Sequence, residues 1–173
     1  MGRLAGKKVV FVIAFRGFRD EELLEPRAVL EAEGATVTIA SSALGTAEGM
    51  LGAQVEPDLL YTAVKTDALD ALVFVGGEGA AEYWEDKAAH RLAKEAQEKG
   101  KILGAICFAP STLANAGLLE GRRATCFATR RGHLARRGAI LTGEPATRDG
   151  RLVTGEGPQA AKAFGALLAE ALA

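Results

Sequence analysis

Cysteine and histidine are both scarce in this chain, with two of each. Two cysteines, Cys107 and Cys126, make neither a disulfide framework nor a zinc site of recognisable spacing, so no metal is expected. Lys plus Arg number 21 and Asp plus Glu 22, a formal net charge of −1. Such a balance gives no global field to draw nucleic acid or an anionic membrane. The longest apolar stretches, Val9–Phe15 and Ala71–Val75, are far too short to cross a bilayer. Met1–Gly6 lacks the apolar region of a secretory signal. The expectation is a reduced, cytoplasmic setting. No internal repeat, low-complexity tract or interdomain linker interrupts the chain.

What is present fits one packed domain over residues 1–173, with 49% apolar and 25% charged residues. Lys8–Phe15 is apolar almost throughout rather than alternating, which predicts a strand buried on both faces. Asp20–Glu33 approximates helical spacing, with Asp20 as N-cap, a kink expected at Pro26, and Gly34 as the stop. Ala35–Ala40 is a second strand, completing a βαβ unit. Ser41–Val64 reads as short hairpin strands and loops. Strands over Asp70–Val75 and Lys101–Ile106 flank a polar-faced helix, Lys87–Lys99. A helix begins at Pro110, strands follow at Gly138–Thr142 and Arg151–Thr154, and a last amphipathic helix begins near Pro158. This alternation predicts a doubly wound α/β sandwich, flavodoxin-like, with a mostly parallel central sheet and helices on both faces.

One junction stands out for chemistry. The strand Lys101–Ile106 runs directly into Cys107, and a helix follows at Pro110. A residue at so sharp a strand-to-helix turn is held in a strained conformation with its side chain lifted from the sheet. Gly104, Ala105 and Ala109 supply the small neighbours this needs. The carboxyl end of a central strand is also where open α/β sheets place their ligand crevice. The adjacent helix N-terminus is expected to depress the thiol pKa. Against this stands the plainer alternative of a small buried hydrophobe, the usual lot of a free cysteine.

Three motifs, in order, add to the elbow. Ala105-Ile106-Cys107-Phe108-Ala109-Pro110 resembles the A-I-C-x-G-P elbow of the ThiJ/PfpI superfamily, the amidotransferase-like group of deglycases and PfpI-type intracellular proteases. Asp70–Gly77 resembles its D-x-[LV]-x-x-P-G-G strand and loop, and Phe18–Pro26 its first-helix motif, an acidic residue four before a proline. The likeness runs from about Lys7 to the C-terminus. It implies that Glu22 approaches the Cys107 sulfur and shuttles protons, its carboxyl raised by the neighbouring negative charge. It implies, too, that the N–H groups of Gly77 and Phe108 form an oxyanion site beside Gly76. No metal or organic cofactor is implied, and a homodimer or larger homo-oligomer is. A solvated helix face for Glu22, and an ordinary turn for Gly76-Gly77, are the alternatives.

The chain also departs from that pattern. Phe108 stands where protease-like members carry histidine, Phe127 and Cys126 lie in a segment where others bring one, and Val75 replaces a proline. His90 and His133 are expected at the surface. Without a histidine base, attack on an unactivated amide is disfavoured. The favoured chemistry is addition of the thiolate to a small reactive carbonyl compound or its adduct on a protein side chain, glyoxalase- or deglycase-like. The alternatives are a non-enzymatic redox sensor acting through Cys107 oxidation and a PfpI-like peptidase. Further pocket candidates are Arg16, Phe127 and Cys126, although solvation for the arginine and core burial for the other two account for them equally. Tyr83 and Trp84 are candidates for the crevice rim or a subunit contact, and the arginines between Arg130 and Arg137 for a solvated or salt-bridged face.

Overall fold

Residues 2–173 are described by a computed structural model. The chain forms, in order, β1 (Lys8–Ile13), β2 (Arg16–Phe18), α1 (Asp20–Ala32), β3 (Thr36–Ser41), β4 (Ala47–Gly49), β5 (Gln54–Val55) and β6 (Leu59–Leu60). There follow β7 (Ala71–Phe74), α2 (Lys87–Glu98), β8 (Ile102–Ile106), α3 (Pro110–Asn115), β9 (Arg123–Ala124) and α4 (Arg131–Arg136). The chain closes with β10 (Ile140–Leu141), β11 (Ala146–Asp149), β12 (Leu152–Gly155) and α5 (Ala161–Leu172). The main sheet has seven strands in the order β11-β12-β8-β7-β1-β3-β6. All its pairings are parallel except β11 with β12, a hairpin whose turn is Gly150-Arg151 rather than the expected Asp149-Gly150. The α/β sandwich expected from the alternation of elements is the architecture observed.

Helices cover both faces of this sheet, so apolar residues are buried on both. One face packs under α1 and α5, with Phe11, Ile13, Val73, Ile106 and Phe164 fully or almost fully buried. The other packs under α2 and α3, with Val12, Leu72, Phe74, Leu92 and Leu113. The chain leaves β1 toward β3 in one direction and returns to β7 on the other side, so the switch point of the winding lies between β1 and β7. Loops at the carboxyl ends of those strands diverge there and leave a crevice, and β8 ends beside it.

Several local expectations change in the structure. Asp20 lies inside α1 rather than capping it, and its buried carboxylate instead accepts the N–H groups of Leu51 (3.0 Å) and Ala53 (2.8 Å). That bond ties the β4–β5 hairpin to the start of α1. Pro26 does not break the helix: it sits buried where α1 crosses α5, and a Cβ on Gly165 would stand 2.9 Å from its Cα. The predicted strand Gly138–Thr142 shrinks to β10, which pairs with β9 in a separate two-stranded sheet. Tyr83 is not at the rim or surface but buried, its hydroxyl donating to the carbonyl of Ile13 (2.8 Å).

Phe164 fills the space above Gly104 and Gly155, both too close to neighbouring side chains for a Cβ to enter freely. Phe164→Ala empties this position and lowers the unfolding free energy by about 3–5 kcal/mol, measured by urea denaturation. A loss under about 1 kcal/mol would contradict the packing described.

Candidate active site at the Cys107 elbow

Cys107 has φ +66°, the only non-glycine residue with positive φ among the described residues. The left-handed region costs an L-residue on the order of 1–3 kcal/mol and persists only where the surroundings hold it. Here three backbone bonds do so. The Cys107 N–H donates to the Gly155 carbonyl (2.9 Å), its carbonyl accepts the Phe127 N–H (3.0 Å), and the Ala109 N–H closes back on Ile106 (3.0 Å). The side chain is thereby turned out of the sheet toward the loops after β1 and β7, yet only 4% of the residue is exposed.

Glu22, in the first turn of α1, reaches the same point from the opposite wall and is fully buried. Neither carboxyl oxygen has a hydrogen-bond partner of regular geometry. The polar groups nearest in effect are the Cys107 thiol and the Gly76 N–H. Gly76 is what lets the two side chains meet. A Cβ at that position would overlap Glu22 Oε1, the Ile106 carbonyl and Cys107 Cβ at once. Gly77 follows with φ +103°, its Cα facing the Phe18–Arg19 backbone, and the Arg19 N–H donates to the Gly76 carbonyl (2.9 Å). The loop is therefore stitched to the start of α1, which sets the height of Glu22 over the sulfur.

Burial pushes the Glu22 carboxyl up to about 8, with the Cys107 thiol and the Arg19 charge pulling the other way. Burial also pushes the Cys107 thiol up, reinforced by the charge and hydrogen bonding of Glu22, while the Gly77 and Phe108 N–H groups pull it down. The direction is opposite to the depression expected from the helix N-terminus: α3 has only six residues, and desolvation is the largest influence on the thiol. The two groups titrate as a unit. Their first ionisation leaves one negative charge, borne either by the Glu22 carboxylate beside a thiol or by a thiolate beside a protonated Glu22. The second form is the one a nucleophilic role would require, and the Gly77 and Phe108 N–H groups favour it.

Of the residues singled out from sequence, Cys107, Glu22, Gly76, Gly77 and Phe108 converge here. Phe127 lies alongside, its ring 5.2 Å from that of Phe108, and walls an open cleft of about 940 Å³ that runs past Arg19, Glu21, Glu25, Glu156 and Lys162. Two candidates do not join them. Arg16 is exposed on β2 with its guanidinium over the Phe15 ring, because β2 turns it outward; Arg19, three residues on, is the cation whose charge reaches Cys107 and Glu22. Cys126 is buried in the cluster under the opposite face, among Leu113 and Leu134, since successive residues point to opposite sides and Phe127 takes the cleft. Burial raises its thiol to about 11. His133 is not at the surface either: it is half-buried on α4, its Nδ1 3.0 Å from Ser111 Oγ and its Nε2 2.8 Å from Asn115 Oδ1. The half-buried His90 bonds the Trp84 carbonyl through Nε2 (2.8 Å). Sequence reasoning passed over Arg19, although its place three residues before Glu22 at the head of a helix was a usable signal. No cluster of three metal-ligating side chains occurs among the described residues.

The raised carboxyl makes a pH test. The folded chain keeps the Glu22 proton up to about 8, whereas the unfolded chain gives it up near 4.5. Between those values the native state binds more protons, so stability falls as pH rises, by at most about 1.4 kcal/mol per unit. Relative to wild type, Glu22→Gln gains urea resistance between pH 5 and pH 8. A wild-type minus Glu22→Gln difference that is flat over this interval would contradict the assignment. The difference also removes His133, whose lowered pKa acts in the opposite direction in both proteins.

The profile of the DJ-1/PfpI family matches residues 7–171. An uncharacterised protein of Methanocaldococcus jannaschii is 39% identical over 161 residues, covering 91% of this chain and 78% of its own. A protein of Pyrococcus furiosus named deglycase PfpI is 32% identical over 151 residues, 87% of this chain and 90% of the relative. Among solved structures, a ThiJ/PfpI domain protein from Brachyspira murdochii superposes with a TM-score of 0.94 at 32% identity, covering 96% of this chain and 98% of its own. Drosophila melanogaster DJ-1beta gives 0.88 at 27% identity, covering 100% and 91%. Strand order, elbow and sequence agree on one assignment: the chain belongs to the DJ-1/PfpI family.

Proposed function

We propose that this protein is a cysteine-dependent enzyme acting on small reactive carbonyl compounds or their adducts, with Cys107 as nucleophile and Glu22 as proton shuttle. The observation that carries this reading is a buried, partnerless carboxyl facing a strained cysteine, with the Gly77 and Phe108 N–H groups acting on the sulfur. Relatives named deglycase from Thermococcus kodakarensis and Pyrococcus furiosus, 33% and 32% identical, support it.

The chemistry balances without a cofactor. The Cys107 thiolate attacks the aldehyde carbon of a 2-oxoaldehyde, a C–S bond forms, and the carbonyl oxygen takes the Glu22 proton to give a hemithioacetal. The Glu22 carboxylate then removes the hydrogen on that carbon and returns it to the neighbouring ketone carbon, while the hydroxyl proton of the first carbon passes to the ketone oxygen. The first carbon is oxidised to a thioester while the second is reduced to an alcohol. Water cleaves the thioester, releasing a 2-hydroxy acid and restoring the thiol. Negative charge on oxygen during these steps is met by the Gly77 and Phe108 N–H groups.

A peptidase needs a group to protonate the leaving amine. Both histidines of this chain are engaged away from the sulfur, His90 with Trp84 and His133 with Ser111 and Asn115. This favours carbonyl chemistry over peptide cleavage. Cys107→Ala abolishes methylglyoxal consumption, followed by loss of the dicarbonyl, and Glu22→Gln lowers kcat by about 10²–10⁴-fold. Full activity in Cys107→Ala would end this reading. Peroxide-driven oxidation of Cys107 with no turnover in wild type would replace it with the redox sensor.

A further inference from the structure

Trp84, the single tryptophan of the chain, lies just beyond the Gly76-Gly77 loop, after the 3₁₀ segment Glu78–Tyr83. Its indole N–H donates to the carbonyl of Phe108 (2.8 Å). That carbonyl stands at the start of α3, where Pro110 has no N–H and the Thr112 N–H is taken by Ala109 (2.9 Å), so the indole supplies a donor that the helix does not. The preceding peptide is held independently, by the Phe127 N–H on the Cys107 carbonyl (3.0 Å). The two peptides flanking Phe108 are therefore each clamped from outside: Phe127 holds the one that carries the Phe108 N–H, and Trp84 holds the one after it.

The indole is itself locked. The Arg130 guanidinium lies 3.8 Å from the ring centroid, and its Nε–H donates to Ser111 Oγ (2.9 Å). Asn115 Nδ2 donates to the Trp84 carbonyl (2.8 Å) and to Glu85 Oε1 (3.0 Å), which fixes the amide orientation and leaves Oδ1 facing His133 Nε2. Nε2 must then carry the ring proton. In the neutral ring Nδ1 is an acceptor, and the Ser111 hydroxyl donates to it. With His133 neutral, every donor and acceptor in the chain Arg130–Ser111–His133–Asn115–Trp84 is matched. Burial favours that form, as do the charges of Arg130, Arg137 and Arg136, with Glu85 opposing.

We propose that Trp84 is a positioning residue for Cys107: locked by Arg130, Ser111, His133 and Asn115, its indole holds the Phe108–Ala109 peptide and, together with the Phe127 bond on the preceding peptide, fixes Phe108 so that its N–H stabilises charge on the sulfur. This rests on Cys107 being the reactive group and not on what it reacts with. In this role Trp84 acts through Phe108.

The test is the pH dependence of Cys107 alkylation by iodoacetamide in the full chain, read at that residue by mass spectrometry. Loosening one hydrogen bond to a charged group raises the midpoint, so Trp84→Phe shifts it upward by about one pH unit. His133→Ala shifts it in the same direction. His133→Gln, which keeps one donor and one acceptor, stays near wild type. A Trp84→Phe midpoint that coincides with wild type overturns the proposal. Should Trp84→Phe fail to fold, the histidine pair decides through intrinsic fluorescence: His133→Ala moves Trp84 emission to longer wavelength and opens it to acrylamide, and His133→Gln does not. Identical emission in both would overturn the relay. A wild type that shows the alkylation shifts but consumes no dicarbonyl leaves the role of Trp84 standing and removes the carbonyl reading.

Discussion

A carboxyl group taken wholly out of water with no hydrogen bond of regular geometry is costly, and folded proteins rarely tolerate one. Glu22 is such a group, and against its burial the fold sets only the Cys107 thiol, the charge of Arg19 and the Gly76 N–H. The resulting pair is the constraint around which the loops are arranged. Gly76 has no Cβ because there is no room for one between Glu22 Oε1 and Cys107 Cβ. Cys107 holds a left-handed backbone at the turn that brings its side chain to Glu22. Each feature is locally unfavourable, and each is explained by the other, the pattern expected where a site is strained for function.

Topology delivers the parts. The winding reverses between β1 and β7, so the start of α1 and the Gly76-Gly77 loop are side by side, and the parallel pairing of β8 with β7 brings Cys107 to the same sheet edge. Much of this was legible in the chain. Continuous apolar runs gave the buried parallel strands, and glycines at 34 and 100 marked helix ends, both with positive φ as left-handed stops require. The strand-to-Cys107 junction was readable because strand and helix signals abut with no room for a loop. What was not readable depended on long-range packing. Whether Asp20 caps a helix or anchors a distant hairpin is decided by residues 51 and 53, and no local pattern carries that. The thiol pKa was misjudged for a related reason: helix dipoles can be read locally, but desolvation is a property of the finished fold.

The missing histidine also finds a physical answer. Where a histidine following the cysteine would put a base, this chain places Phe108, in edge contact with Phe127 and Trp84. The wall next to the sulfur is apolar, which keeps water from the pair and strengthens the coupling between its members. His133, read from sequence as a surface residue in an arginine-rich stretch, is instead the centre of a polar relay one layer behind that wall. Of those arginines, Arg130 joins the relay and Arg131 pairs with Glu156 at the cleft, leaving Arg136 and Arg137 exposed to solvent.

The account stands on Glu22 being protonated beside Cys107 at neutral pH, and infrared difference spectroscopy observes that proton directly. Comparison of wild type with Glu22→Gln at pH 7 is expected to show a carboxylic acid C=O band that belongs to Glu22 and fades as pH rises through about 8. Only carboxylate bands at pH 7, with none assignable to a protonated Glu22, would contradict it.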